Sequence, residues 1–230
     1  MKIECVVFDM AGTTIDEDNI VYKTLHKSIL EEGVLINLDD VLEHGAGKEK
    51  LNAINDILKI FGSPSQINKS DFIFTQFLKY LEDAYNNFSI KPILNAEEVL
   101  LSLRDKNIKV VLNTGYDRNT ALKLLNKLSW VEKNQYDLLV TASDVANSRP
   151  APDMILKAMH HLLINDSERV IKVGDSAIDI EEGQNAKCLY TIGVTTGAQK
   201  KEQIEKANPS YIFDNLKEVL QLIQELNTEN

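Results

Sequence analysis

The chain has 230 residues, 43% of them hydrophobic and 26% charged, so it is long enough to bury a core and is not a disordered segment. Its 35 acidic against 25 basic side chains give a formal net charge of -10, a field that repels polyanions and sets nucleic acid aside as a partner. No apolar run is long enough to cross a bilayer and the amino-terminal one is too short for a signal peptide, so the expectation is a cytoplasmic protein with no membrane partner.

In chain order, Glu4 to Asp9 is a short, β-branched apolar run that ends on a carboxylate and enters the turn Ala11-Gly12-Thr13-Thr14. This is the pattern of a buried parallel strand running into a loop. Next come helix-like segments at Tyr22 to Glu32, Leu51 to Phe61 and Asp71 to Tyr85, with no convincing strand between them. Pro92 marks the return. From there strands and amphipathic helices alternate: helix Asn95 to Asp105, strand Ile108 to Leu112, helix Arg118 to Leu128, strand Tyr136 to Val140, helix Asp153 to Leu163. Strand Val170 to Val173, helix Ile178 to Ala186, strand Cys188 to Val194 and helix Asn215 to Leu226 follow. Such alternation predicts an α/β fold, a doubly wound parallel sheet with right-handed crossovers, interrupted by an all-helical insertion. The predicted division is 1–16 with 90–230 for the sheet domain and 17–89 for the helical one. Cys5 and Cys188 both fall in predicted strands and read as buried, reduced thiols.

In doubly wound sheets ligands bind beyond the carboxyl ends of the strands. Four of the strands end there on polar residues. Asp9 at such an end can attack phosphorus in line, while the turn after it exposes backbone groups, with Gly12 and Thr13 the candidates to hold phosphoryl oxygens. A carboxylate approaching another anion needs a cation; Asp175 and Asp179, in Gly174-Asp175-Ser176-Ala177-Ile178-Asp179, suit a hard, oxygen-preferring ion such as magnesium. Thr114 and Gly115 offer a hydroxyl and an N–H at a predicted helix start. Arg149, between Ser148 and Pro150, could neutralise an aspartyl-phosphate.

The ordered set Asp9-Met10-Ala11-Gly12-Thr13, Thr114-Gly115, Arg149, and Gly174-Asp175 with Asp179 resembles the four motifs of the haloacid dehalogenase superfamily, and the helical insertion resembles its cap. The resemblance implies that Asp9 is the nucleophile, that Asp9, the Ala11 carbonyl and Asp175 coordinate magnesium with Asp179 in support, and that Thr114 holds the phosphoryl group. Phosphatases of that superfamily usually carry an Asp two residues after the nucleophile as general acid and base; here the residue is Ala11. Ala11, Thr114-Gly115-Tyr116 with Arg118, and Arg149-Pro150-Ala151-Pro152 together resemble the phosphonatase-like subgroup, the phosphonoacetaldehyde hydrolases. In these a cap lysine forms an imine with the substrate aldehyde, and Lys48, in Gly45-Ala46-Gly47-Lys48, fills the Gly-x-x-Lys pattern. Ser148 and Asp153 depart from that subgroup, where Gly and Trp stand.

Three functions are therefore open. The first is a magnesium-dependent, phosphonatase-like hydrolase of a small organophosphorus substrate. The second is an ordinary phosphomonoester phosphatase that recruits its acid from the cap, for instance from His44. The third is a phosphate-binding relative without turnover. The cap is expected to close over the sheet edge and residues 17–89 to carry specificity, in a monomer or a homodimer.

Overall fold

The computed structural model describes residues 2–228. Six strands form one sheet: β1 Cys5–Asp9, β4 Lys109–Thr114, β5 Leu138–Thr141, β6 Val170–Gly174, β7 Tyr190–Val194 and β8 Tyr211–Phe213. Their order is β5-β4-β1-β6-β7-β8 and every neighbouring pair is parallel. β1 is the central strand, and all five of its residues are buried. With both faces covered by helices, its side chains Cys5, Val6, Val7 and Phe8 have no solvent side, which is why the run does not alternate.

The sheet helices are α6 Ala96–Asp105, α7 Arg118–Lys127, α8 Asp153–His161, α9 Ala177–Asn185, the short α10 Lys201–Glu205 and α11 Leu216–Thr228. One core cluster joins Val6, Phe8, Val110, Leu112 and Val173 to α6, α7 and α11; a second joins Cys5, Val7 and Val111 to Met154, Ile155 and Ala158 of α8. Cys5 is buried while Cys188 stands half-buried just before β7, and both thiols are free. Burial pushes the Cys188 thiol up to about 12, so it stays protonated and inert.

Between β1 and α6 lies the helical insertion: α1 Ile20–Glu31, α2 Leu38–Gly45, α3 Lys50–Phe61, α4 Pro64–Ile67 and α5 Ser70–Asn87. Leu25, Ile29, Ile54, Ile57, Leu58, Ile73 and Phe77 fill its interior. The two crossings between sheet and insertion lie side by side, because β2 Ile15–Asp16 pairs antiparallel with β3 Lys91–Pro92. Six short strands and α-helices were not expected: β2, β3, α10, α2, α4 and β8. α2 starts on a capping box in which Asn37 accepts from Asp40 N and Asp40 accepts from Asn37 N. α4 is a single turn opening on Pro64, and β8 has only three residues. Among the described residues no helix is long and apolar enough to cross a membrane.

Candidate active site

The reversal of strand order at β1 puts three loops around one crevice. β4 lies on one side of β1 and β6 on the other, with Asp9 in register with Asn113 and Phe8 with Val173. Asp9, Thr114 and the Gly174-Asp175 turn therefore emerge together at the carboxyl edge.

The turn after β1 is closed by Met10, whose carbonyl accepts from Thr13, Thr14 and Ile15 N–H groups at 3.2, 2.8 and 2.8 Å. Thr14 Oγ1 donates to the Asp9 and Met10 carbonyls at 3.0 and 3.2 Å, which fixes the direction in which the Asp9 side chain leaves the sheet. Gly12 has φ +86°, and a β-carbon there would overlap the Asp175 carboxylate, so both conformation and space demand glycine. Thr13 Oγ1 donates to Asp175 Oδ1 at 3.2 Å and not to Asp9. Asp175 Oδ2 accepts from Ala198 N at 2.6 Å, and Thr196 Oγ1 donates to the Gly12 carbonyl at 2.6 Å. The loop Thr195 to Ala198 after β7 is thus part of the site, a contribution the sequence reading missed although Thr-Thr-Gly at a strand end was there to be seen.

Beneath Asp9 lies a buried ionic network. Arg149 Nη1 meets Asp9 Oδ1 at 2.7 Å and Asp179 Oδ1 at 2.9 Å, and its Nε meets Glu182 Oε2 at 3.0 Å. Its Nη2 donates to the Asn113 carbonyl and to Asn113 Oδ1 at 2.9 and 2.7 Å. Lys172, fully buried on β6, reaches Asn113 Oδ1 at 2.6 Å, Asp179 Oδ1 at 2.9 Å and Glu182 Oε2 at 3.2 Å. Burial works against the charge on Arg149, but Asp179, Asp9 and Glu182 outweigh it and keep the guanidinium charged. Lys172, Asn113 and Glu182 were not singled out in the sequence. A lysine inside the apolar run of β6 was the available signal.

Asp9, Asp175 and Asp179 bring carboxylate oxygens within 4.8 Å of one another, all buried. Burial raises the Asp9 and Asp175 carboxyls, and the neighbouring carboxylates push both further. Four acids, Asp9, Asp175, Asp179 and Glu182, share this space with two cations, Arg149 and Lys172. The ionised set carries two uncompensated negative charges. A divalent, oxygen-seeking cation fits that deficit and that donor set.

The chamber above Asp9 is lined by Asp9, Ala11, Tyr22, Gly47, Lys50, Thr114, Gly115, Tyr116, Arg149 and Asp175. Its free volume is about 10 Å³, close to the roughly 10–15 Å³ that one water needs. Nothing larger than a water fits while the loop that carries Gly47 stays in place. The seal is tight, because a β-carbon on Gly115 would lie 2.9 Å from the Gly47 carbonyl and 3.0 Å from that of Lys48. Gly47, at φ +72°, presses on Ile178 and Ser176 so closely that any side chain would overlap them. Gly47→Ala is accordingly expected to hold the cap off the sheet and lower kcat/KM by about 10²-fold, the scale of a 1 Å misplacement. A steady-state assay checks this, and kcat/KM within about twofold of the unmodified value would show the seal to be dispensable.

The structure distinguishes two lysines. Lys48 Nζ pairs with Asp56 Oδ2 at 2.8 Å, and its half-buried side chain lines an outer cavity of about 470 Å³ with Asn52, Lys59, Pro150 and Glu181, which borders the chamber at Arg149. Lys50, the first residue of α3, points inward. It is buried, its Nζ donates to the Lys48 carbonyl at 2.7 Å, and it lies 5.0 Å from the Tyr22 ring centre and 5.5 Å from that of Tyr116. Burial lowers the Lys50 ammonium to about 8 despite the pull of Glu17 and Asp9. His44, at the end of α2, packs edge-on against Phe61 at 5.6 Å and is not among the chamber's residues. Thr114 Oγ1 accepts from Tyr116 N at 3.2 Å, and α7 begins only at Arg118 with Asp117 as its cap, so Gly115 belongs to the loop and not to a helix start.

Residues 6–194 match the family model described as haloacid dehalogenase-like hydrolase. A phosphonoacetaldehyde hydrolase of Bacillus cereus (strain G9842) is 30% identical over 245 aligned positions, taking in 100% of this chain and 90% of that protein. One of Bacillus anthracis is 29% identical over 244, with the same 100% and 90% coverage. Among solved structures, a phosphonoacetaldehyde hydrolase-like protein from Oleispira antarctica has a TM-score of 0.83 at 23% identity, covering 99% of this chain and 94% of that one. A haloacid dehalogenase-like family hydrolase from Streptococcus pneumoniae has a TM-score of 0.76 at 18% identity, covering 96% and 98%.

Proposed function

Because this chain belongs to the haloacid dehalogenase-like hydrolases, we propose that it takes the phosphoryl group of a small phosphonate or phosphate onto Asp9 and releases it to water, in the manner of a phosphonatase. The observation that carries this reading is a buried lysine, Lys50, sharing one closed chamber with Asp9, above a methyl group at position 11. A carboxylate nucleophile and an amine with a lowered pKa are the two groups that cleavage of a phosphorus–carbon bond next to an aldehyde requires. The amine condenses with the carbonyl, releasing water, and the imine then accepts the electron pair of the breaking bond. Lys50, and not the Lys48 of the Gly-x-x-Lys pattern, is the amine on this reading.

Asp9, the Ala11 carbonyl and Asp175 would hold magnesium, with Asp179 behind them. Bound there, the ion supplies positive charge that lets one anion approach another. Arg149 aligns Asp9 through its 2.7 Å contact, and Thr114 is placed to hold a phosphoryl oxygen. Residues 17–89 act as the cap that shuts out water during attack. The substrate on this reading is a small organophosphorus compound, with no nucleic acid or membrane partner. The protein works on this reading as a cytoplasmic monomer or homodimer.

Phosphate release from phosphonoacetaldehyde with magnesium tests the proposal, with borohydride added to reduce any imine in place. The expected result is turnover that Lys50→Arg abolishes, and a reduced adduct that mass spectrometry of the peptide places on Lys50. Turnover of phosphate esters alone, with Lys50→Arg tolerated, would leave the second reading, an ordinary phosphatase.

A further inference from the structure

Hydrolysis of an aliphatic ester and formation of an imine both need a proton that position 11 cannot give. An ester's alkoxide oxygen must leave protonated, and the carbinolamine hydroxyl on the way to an imine must leave as water. Ala11 has no proton to offer and His44 packs on Phe61, outside the chamber. Arg149 is committed to three acids.

Two buried carboxyls among the described residues lie outside the metal cluster and the ionic network: Asp137, paired with Arg104 and Lys109, and Glu17, which has no cation in salt-bridge contact. Glu17, just past the β2 crossing, is 2% exposed. Its Oε2 accepts from the Tyr85 hydroxyl at 2.5 Å, and the Tyr116 hydroxyl and the Val21 N–H also face the carboxyl. The Tyr85 hydroxyl is 3.2 Å from that of Tyr116, and Tyr116 lines the chamber beside Asp9 and Lys50. A carboxyl in a dry interior with no cation in contact is costly to ionise, which leaves it able to hold a proton near neutrality. The three side chains come from three places, the crossing, α5 and the loop after β4, and converge on one hydrogen-bonded cluster.

We propose that Glu17 is the proton store of this site, passing its proton through Tyr85 and Tyr116 to the oxygen that departs inside the chamber, in place of the carboxyl that position 11 lacks. The inference rests on the phosphoryl-transfer reading above. As the bond to the departing oxygen breaks, that oxygen keeps the electron pair and takes the Tyr116 proton. Tyr85 refills Tyr116, and the carboxyl of Glu17 refills Tyr85, ending as carboxylate. When water adds to the phosphorus of the acyl phosphate, the electron pair of the broken bond returns to Asp9, and the proton lost by water passes back to Glu17. Tyr116 is the group that touches substrate; Glu17 and Tyr85 act through it. The charged and titratable groups facing Glu17 are Tyr22 of α1, Lys50 of α3, Tyr85 of α5 and Tyr116 of the β4 loop. Burial, opposed by the two phenols and Lys50, raises the Glu17 carboxyl to about 7, so both of its forms are at hand near neutrality.

Leaving-group dependence tests the assignment. Acetyl phosphate expels a carboxylate that needs no proton; the aliphatic comparison is whichever of phosphonoacetaldehyde and 2-phosphoglycolate the unmodified protein turns over faster. In Glu17→Gln, and in Tyr85→Phe, which keeps the ring and cuts the chain, the ratio of kcat/KM for the aliphatic compound to that for acetyl phosphate should fall by about 10²-fold. The alkaline fall of kcat/KM for the aliphatic compound that follows loss of the Glu17 proton should vanish in Glu17→Gln, while the limb that Lys50 sets near pH 8 stays. A role confined to packing would lower both rates together and keep the pH limb. That outcome, in both variants, overturns the proposal. An unmodified protein that releases phosphate from none of the three compounds removes the phosphoryl-transfer reading itself, and this inference with it.

Discussion

Asp9→Asn should abolish phosphate release, by at least about 10⁴-fold, while leaving the fold intact. Loss of a covalent nucleophile costs on that scale because no other group is in line to take its place. Here the alternatives can be named. Asp175 is tied to Thr13 and Ala198, and Asp179 to Ser176, Arg149 and Lys172. Neither is free to swing toward a phosphoryl group. The fold should survive because an amide oxygen at position 9 can still accept from Arg149 Nη1, and because the change removes one of the mutually repelling acids. Phosphate assays beside thermal melts check both halves. Residual turnover above about 1% would mean that water attacks phosphorus directly.

Arg149→Met should give the largest loss of stability of any single change at the site. The guanidinium is the shared counter-charge of Asp9, Asp179 and Glu182, and it also satisfies both oxygens of Asn113. Removing one partner of a buried ion pair costs about 3–5 kcal/mol, since the remaining charges are left without compensation. For a chain of this size each kcal/mol lowers Tm by about 2–4 °C, so a fall of roughly 6–20 °C is expected. Met fills most of the aliphatic volume, which keeps the loss electrostatic and not a cavity effect. Turnover should fall as well, because Asp9 loses the contact that aims it. A shift in Tm of under about 3 °C would mean that Lys172 alone balances the network.

The sheet was legible in the sequence because strands buried on both faces read as unbroken apolar runs, and Asp9, Asn113-Thr114 and Gly174-Asp175 mark where they stop. What escaped was short or non-local. β8 has three half-buried residues and no periodicity to detect. α2 announced itself only through the Asn37–Asp40 capping box. Glu182 has an equally acidic neighbour in Glu181, and nothing in the order of residues says which of the two turns inward toward Arg149; the pitch of α9 decides it. The two lysines make the same point. Gly45-Ala46-Gly47-Lys48 draws attention to Lys48, but α3 starts at Lys50 under a Glu49 cap, and that start aims Lys50 at the chamber and Lys48 at Asp56. Glu17 carried no motif at all. Its role depends on Tyr85 and Tyr116, 68 and 99 positions further along the chain.

The central claim is that Asp9 carries the phosphoryl group between attack and hydrolysis. Its most direct test is a rapid acid quench of the magnesium-loaded protein during turnover of phosphonoacetaldehyde or acetyl phosphate, followed by peptide mass spectrometry. A phosphate-mass adduct is expected on the peptide that contains Asp9, localised to Asp9 and missing from Asp9→Asn. Phosphate released with no adduct on Asp9, or with the adduct on another residue, would contradict it.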